Sequence, residues 1–352
     1  MTLEPTQANA SSEQPSITPP TPEPNQTFVL RNLFVGDEGI RAFWSILLFL
    51  LVFAVLVGAA TFVAHKIHPR RELPNVNAEL SLRFALINEG MLAALTLLAI
   101  WIMSKIERRG RSYGYGGANK LKLFVSGLAW GIVLISLLVL SLWMGGFLVF
   151  DRRLLFGADI LRYGFLWLIG FCLVGVFEES LTRGFVLYTA TRGLAGLYQL
   201  GSKTPHSTPL GFWTAAVILS AIFCLGHTAN PGESPVGLLS VFLAGMFFCL
   251  SIWRTGSLWW AIGMHATWDW GQSFLFGVAD SGLMTQHRLF ATHPQGSALL
   301  SGGTTGPEGS ILIVAVLAVG SLAILFTLPR GRYYEGPPVP AQPEPQPAIV
   351  VS

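Results

Sequence analysis

The sequence predicts an all-α, polytopic transmembrane helical bundle with about eight spans. Hydrophobic residues make up 52% of the 352 residues and charged residues only 12%, about half the share in soluble domains. Apolar runs close to the roughly 20 residues that cross a bilayer recur along the chain. They cover residues 42–64, 84–104, 124–149, 163–188, 211–229, 236–253, 257–277 and 309–329.

The two ends of the chain differ in composition from its middle. Residues 1–40 are rich in Pro, Ser and Thr, and residues 331–352 are rich in Pro, which is typical of disordered tails. We therefore predict a transmembrane domain over residues 41–330, flanked by two disordered tails. The three cysteines lie in apolar runs without CxxC spacing, so we expect free thiols rather than a disulfide framework.

The distribution of Lys and Arg predicts that both tails are cytoplasmic. With eight spans, thirteen basic residues fall on the side of the tails and eight on the other side, while Arg183 lies inside a helix. We expect an integral protein of a bacterial inner membrane, in contact with the lipid bilayer. The net charge is only +3 and the basic residues lie in loops between apolar runs, so we expect no nucleic-acid partner.

Three charged residues interrupt the fourth apolar run: Glu178, Glu179 and Arg183. Each ionisable side chain at membrane depth is unfavourable by about 2.5–3.5 kcal/mol, so the group indicates a functional site, with a purely structural ion cluster as the alternative. Glu179 and Arg183 are four residues apart on one helix face, which predicts a charge-assisted pair. Glu178 points about 100° away around the helix, which leaves it free to act as a general base. Because apolar residues resume after Arg183, we predict that the helix continues through the motif.

Two later spans carry matching polar residues. Phe223 and His227 form an FxxxH pattern near the end of the fifth span, and His265 and Asp269 lie four apart in the seventh. Such a His–Asp pair can orient the imidazole, bind a metal ion or donate hydrogen bonds to a substrate oxygen. Since intramembrane polar groups face the bundle interior, we expect these spans to bring their polar residues together there. Glu89 receives no role, and we expect the long loop 278–309 to be a connector.

The order EExxxR, FxxxH and HxxxN/D in three separate apolar helices resembles the CPBP intramembrane protease family. That family includes the type II CAAX prenyl endopeptidases and bacteriocin-processing or immunity relatives. The resemblance covers about residues 166–275, within a protease-like core that we place at 160–277. It implies an intramembrane endopeptidase that hydrolyses a peptide bond of a membrane-associated peptide or protein substrate.

The resemblance also implies a role for each motif residue. Glu178, helped by His227, would activate a water molecule, and His265 with Asp269 would form the oxyanion site. Glu179 and Arg183 would support this arrangement. Two positions depart from the family pattern: Thr182 stands where an aromatic residue is often found before the Arg, and Asp269 stands where the prenyl endopeptidases typically have Asn.

The residues leave alternatives open for both cofactor and function. We expect no cofactor, but Glu178, His227 and His265 are the set that would bind zinc as a His₂Glu site, although no HExxH is present. The alternative function is a non-catalytic membrane immunity or scaffold protein that binds a partner peptide. A proton-coupled transporter is less favoured, because the chain shows no internal repeat.

Overall fold

The structure is a computed structural model that describes residues 32–36, 39–67, 79–108, 113–116, 119–202, 206–230 and 232–331. The chain divides into two compact units, Met1–Arg41 and Ala42–Ser352. In the first unit, strand β1 (Val35–Gly36) pairs antiparallel with strand β2 (Gly39–Ile40). The predicted disordered tails fall mostly on residues 1–31 and 332–352, which lie outside the described residues.

The second unit is built from helices and one small sheet. Its helices are α1 (Ala42–Ile67), α2 (Leu82–Glu107), α3 (Lys120–Met144), α4 (Ala158–Glu179), α5 (Leu187–Ser202), α6 (Ser207–Gly226), α7 (Pro235–Thr255), α8 (Trp259–Trp270), α9 (Ala298–Ser301) and α10 (Leu312–Thr327). Two π-helical segments, Ser180–Val186 and Gly271–Leu275, extend α4 and α8, and two 3₁₀ turns lie at His227–Ala229 and Pro307–Gly309. The sheet consists of β3 (Leu148–Arg153) and β4 (Phe290–Pro294).

The predicted all-α polytopic bundle is confirmed. Among the described residues, six helices are long and apolar enough to cross a membrane. The last two predicted spans correspond to shorter helices, α8 with its π-helical extension and α10. The third ends at Met144 rather than at residue 149, because Gly145 and Gly146 end the helix and β3 begins soon after. Large apolar side chains are exposed along most of the long helices, as lipid-facing surfaces require.

The charged motif lies inside one continuous helix of 44 residues, Ala158–Gly201, as the resumption of apolar residues predicted. The helix does not stop at the glutamates but widens into the π-helical segment Ser180–Val186, where Leu187 N–H donates to Thr182 O, five residues back. Single π-turns inside α-helices are frequent at functional sites. The wider turn therefore begins directly after the two motif glutamates.

Helix α8 lies against α3 and α4 at unusually close range, because small residues line the contacts. A Cβ atom at Gly127 of α3 would come within 2.2 Å of Trp260 O in α8. A Cβ atom at Gly175 of α4 would come within 2.9 Å of Ile262 O. The second contact brings the backbone of α4, one turn before the glutamates, directly against the turn of α8 that carries His265.

The segment between α8 and α10 is more than the connector that the sequence predicted. It contains β4, which pairs antiparallel with β3 across a bulge between Phe150 and Arg152, and it is further held by a bridge between Leu80 and Thr285. The Thr304 side chain of this segment also donates a hydrogen bond to Gly232 O at 2.9 Å. The expectation was wrong because these partners are distant in sequence, so the Gly- and Ser-rich composition alone gave no sign of them.

Candidate functional site

Glu179 and Arg183 form a buried ion pair behind the site. Arg183 Nη1 donates to Glu179 Oε1 at 2.7 Å, and the two side chains are 2% and 0% exposed. The guanidinium also lies 4.6 Å from the ring centre of Phe223 and 5.1 Å from that of Phe248. A charge removed from water needs a partner and further contacts, and these two residues with their aromatic neighbours provide both.

Glu178 is the accessible carboxylate of the motif. Its side chain is 25% exposed, and it lines a cavity from which Glu179 is excluded. The hydroxyl of Thr182 donates to Glu178 O at 2.6 Å, and it also accepts from Arg183 Nη1 at 3.3 Å. Thr182, the position that departs from the family pattern, therefore connects the backbone of Glu178 to Arg183.

His265 connects the two glutamates. Its Nδ1 lies 2.9 Å from Glu179 Oε1, so this nitrogen donates when it carries its proton. On the other side of the ring, Nε2 lies 3.8 Å from Glu178 Oε2 and 3.5 Å from Asp269 Oδ2. The imidazole stacks on the ring of Phe248 at 5.2 Å between centroids and 25° between planes. The ring thus presents Nε2 toward the two carboxylates that line the cavity.

His227 lies at the end of α6, in the 3₁₀ turn that follows the helix. Its Nδ1 is 2.9 Å from Phe223 O, which directs Nε2 away from its own backbone. It lines the same cavity as Glu178, but within the described residues no hydrogen bond or ion pair joins the two side chains. Any cooperation between them therefore has to pass through a molecule held in the cavity.

One cavity of about 850 Å³ is lined by polar residues from each of the three motifs. Most of its walls are apolar, with side chains from α1, α4, α6 and α7. Its motif residues come from three separate helical segments: Glu178, His227, His265 and Asp269. Concave apolar sites with a few converging polar groups are the usual form of a substrate pocket.

Three acids on the cavity wall were missed or left without a role in the sequence: Glu89, Asp280 and Glu308. Trp268 Nε1 donates to Glu308 Oε1 at 3.0 Å, and Ser281 Oγ donates to Glu308 Oε2 at 3.1 Å. Burial raises the pKa of Asp280 well above its ordinary value, and the negative charges of Asp269 and Glu308 raise it further. Asp280 and Glu308 reach the cavity through the folded segment 276–309, so no sequence signal places them there, whereas Glu89 reaches it from α2.

The loop at residues 113–116 supports the π-helical segment from outside the cavity. Tyr115 Oη donates to Ser180 Oγ, which in turn donates to Val176 O. Burial raises the pKa of Tyr115 to about 12, so the phenol keeps its proton and remains a donor at neutral pH. Trp259 Nε1 donates to Tyr115 O at 3.3 Å, which ties this loop to the start of α8. The loop therefore joins the two helices that carry the glutamates and His265.

The zinc alternative does not fit the donor geometry. Among the described residues, no three His, Cys, Asp or Glu side chains are grouped to hold a metal ion. Glu178 and His265 approach each other, but His227 is not brought to them as a third ligand.

Comparison with known proteins agrees with the motifs. Residues 159–271 match the family model described as "Type II CAAX prenyl endopeptidase Rce1-like". The matched segment is about a third of the chain and contains all three motifs. No curated protein and no solved structure matches the chain.

Proposed function

We propose, on the premise that residues 159–271 belong to the type II CAAX prenyl endopeptidase Rce1-like family, that this integral membrane protein is an intramembrane endopeptidase. One observation carries the proposal. Glu178, His227, His265 and Asp269 line a single cavity, whereas Glu179 and Arg183 are buried behind it as an ion pair. The accessible groups are those that hydrolysis requires, and the buried pair holds His265 from the side away from the cavity.

In this mechanism, Glu178 is the general base that activates water for attack on a peptide carbonyl. Glu178 Oε2 and His265 Nε2 are 3.8 Å apart, so one oxygen atom can lie about 2.8 Å from both. His227, on the same cavity wall, would hold the water from another direction. The attack transfers the water proton to Glu178 and leaves a tetrahedral oxyanion.

His265 and Asp269 are proposed to stabilise that oxyanion. When the imidazole carries both protons, Nδ1–H donates to Glu179 and Nε2–H is available to the oxyanion. Asp269 Oδ2 lies 3.5 Å from Nε2, so it can orient the ring, and in its protonated form it can donate a hydrogen bond itself. When the oxyanion collapses, the C–N bond breaks and Glu178 returns its proton to the leaving nitrogen, while the buried Glu179–Arg183 pair fixes the opposite edge of the imidazole.

The proposed substrate is a membrane-associated peptide or protein. The apolar walls of the cavity suit a segment or lipid group that partitions into the bilayer. The family match makes a peptide that ends in a prenylated CAAX sequence the first probe to use. We further propose a bacterial inner membrane as the location, and the excess of Lys and Arg on the side of the tails supports an orientation with both tails in the cytoplasm. Reporter domains fused to each end would test this orientation.

The test is cleavage by protein reconstituted in liposomes, with the products identified by mass spectrometry. The probes are membrane-anchored peptides, including one that ends in a farnesylated CAAX sequence. Glu178→Gln should reduce kcat by a factor of about 10²–10⁴, the usual contribution of a general base. The matched control is Glu89→Gln, since Glu89 lines the same cavity but has no role in the proposed mechanism. Equal activities of Glu178→Gln and wild type would contradict the mechanism.

A chelator and the phenotype of Glu178→Gln separate the remaining alternatives. Loss of cleavage with 1,10-phenanthroline that zinc restores would place Glu178, His227 and His265 in a metal site. The non-catalytic alternative, an immunity or scaffold protein, is favoured by the extra carboxylate of Glu308 on the cavity wall, which would oppose a developing oxyanion. It predicts that cells carrying Glu178→Gln keep the wild-type phenotype and partner binding.

A further inference from the structure

A residue outside all three motifs contacts two of the site's polar groups. Phe248 lies in α7, a helix to which the sequence assigned no functional residue, and it is 5% exposed. The guanidinium of Arg183 lies 5.1 Å from its ring centre. The imidazole of His265 stacks on the same ring at 5.2 Å. Phe248 therefore contacts both a member of the buried ion pair and the histidine that joins this pair to the cavity.

The hydrogen bonds of His265 do not by themselves fix the plane of its ring. The imidazole turns about its Cβ–Cγ bond, and the hydrogen bond from Nδ1 to Glu179 tolerates a range of angles about that bond. Stacking at 25° on Phe248 restricts this rotation, and it holds Nε2 at 3.8 Å from Glu178 and 3.5 Å from Asp269. Arg183 is held between two rings, but of these only Phe248 also stacks on His265.

We propose that Phe248 is a positioning residue that sets the plane of His265 and, through Arg183, the position of Glu179. This proposal rests on the proposed function, because it assigns Phe248 an effect on the step in which His265 stabilises the oxyanion. The aromatic face carries the effect, since a side chain of similar burial without a π system would fill the space but lose both contacts. The position of Nε2 relative to Glu178 and Asp269 would then no longer be fixed.

The neighbouring residue provides a matched control. Phe247 is also buried and lines the same cavity; its ring contacts Trp260 and the edge of Phe248, each at 5.7 Å, and within the described residues no ring or cation–π contact joins it to Arg183 or His265. Phe248→Leu and Phe247→Leu therefore remove the same atoms from the same helix and the same cavity wall. Phe248→Tyr keeps the aromatic face, so it serves as the conservative variant that should restore function.

The first measurement is the kinetics of peptide cleavage in liposomes. We expect Phe248→Leu to lower kcat about tenfold with KM changed less than twofold, which corresponds to about 1.4 kcal/mol of transition-state stabilisation. Phe248→Tyr and Phe247→Leu should stay within threefold of wild type. Equal losses of kcat in the two leucine variants would show a general packing effect and would overturn the proposal.

The second measurement does not depend on activity, so it separates failure of this proposal from failure of the proposed function. In protein with ¹⁵N-labelled histidine, the imidazole signals of His265 are assigned by their loss in His265→Gln. Wild type and Phe248→Tyr should show a single protonation pattern with Nδ1 protonated, and Phe248→Leu should show averaged or shifted signals. Unchanged His265 signals in a folded Phe248→Leu protein would refute the positioning role, even if no tested peptide is cleaved.

Discussion

Replacing Arg183 by Leu should be one of the most destabilising single changes in this protein. The substitution removes the donor that lies 2.7 Å from Glu179 Oε1 and leaves that fully buried carboxylate with His265 as its remaining partner. The other oxygen, Glu179 Oε2, has no hydrogen-bond partner in the described structure. The variant therefore keeps the Glu179 carboxylate away from water but has lost the guanidinium that pairs with it.

The expected loss follows from the burial of both partners. Breaking a buried ion pair by removing one member typically lowers the free energy of unfolding by about 3–5 kcal/mol. The contacts of Arg183 with Phe223 and Phe248 add to the loss, because a desolvated cation–π contact contributes about 2 kcal/mol. Replacing both charges, in Glu179→Gln with Arg183→Leu, should regain at least about 2 kcal/mol relative to Arg183→Leu alone.

The measurement is reversible unfolding in mixed micelles at increasing SDS, followed by the fluorescence of the tryptophans. Wild type, the two single variants and the double variant form a complete double-mutant cycle. A loss below about 1 kcal/mol for Arg183→Leu would refute the argument, since a pair exposed to water contributes no more than that. A double variant no more stable than Arg183→Leu would show that the uncompensated carboxylate is not the cause.

Two further predictions test the helix contact and the cavity wall. Gly175→Ala should lower kcat about tenfold in the cleavage assay, because the added Cβ would lie 2.9 Å from Ile262 O and push α4 away from α8. The control is Gly170→Ala, whose Cβ would meet its nearest neighbour at 3.7 Å and whose kcat should stay within twofold of wild type. Comparable losses in both would show a general sensitivity of this helix. Asp280→Asn should reduce the loss of thermal stability between pH 5 and pH 8. The pKa of Asp280 is raised in the folded protein, so the folded protein keeps a proton that the unfolded chain releases above about pH 4. The stability of the folded protein therefore falls as the pH rises toward the folded pKa. An unchanged difference in Tm between the two pH values would contradict this assignment.

The local part of the site could be predicted from the sequence. The i,i+4 spacing of Glu179 and Arg183 predicted their contact, and the offset of Glu178 predicted that it would face elsewhere. The structure shows the pair in contact, and it places Glu178 on the cavity wall. Such predictions succeed because they depend on the geometry of a single helix.

The parts that depend on long-range contacts could not be predicted. Glu179 hydrogen-bonds to His265, 86 residues later, and Phe248 contacts both Arg183 and His265 without any motif to mark it. Glu308 lines the cavity, where Trp268 and Ser281 donate hydrogen bonds to its carboxylate. Polar composition in a loop cannot distinguish such an acid from one that faces water.

The π-helical segment Ser180–Val186 makes the length of this stretch as important as its composition. A turn closed by an i→i+5 bond holds one residue more than an α-helical turn, so deleting one residue here would restore a regular α-helix and shift the residues inside the segment, while the helix after it keeps its facing. The glutamates would stay against His265, but Phe185 would leave its stacked position 4.5 Å from Phe49 of α1. A one-residue deletion would thus disturb the packing of this segment against α1 rather than the glutamates, so the number of residues in this single turn matters for packing.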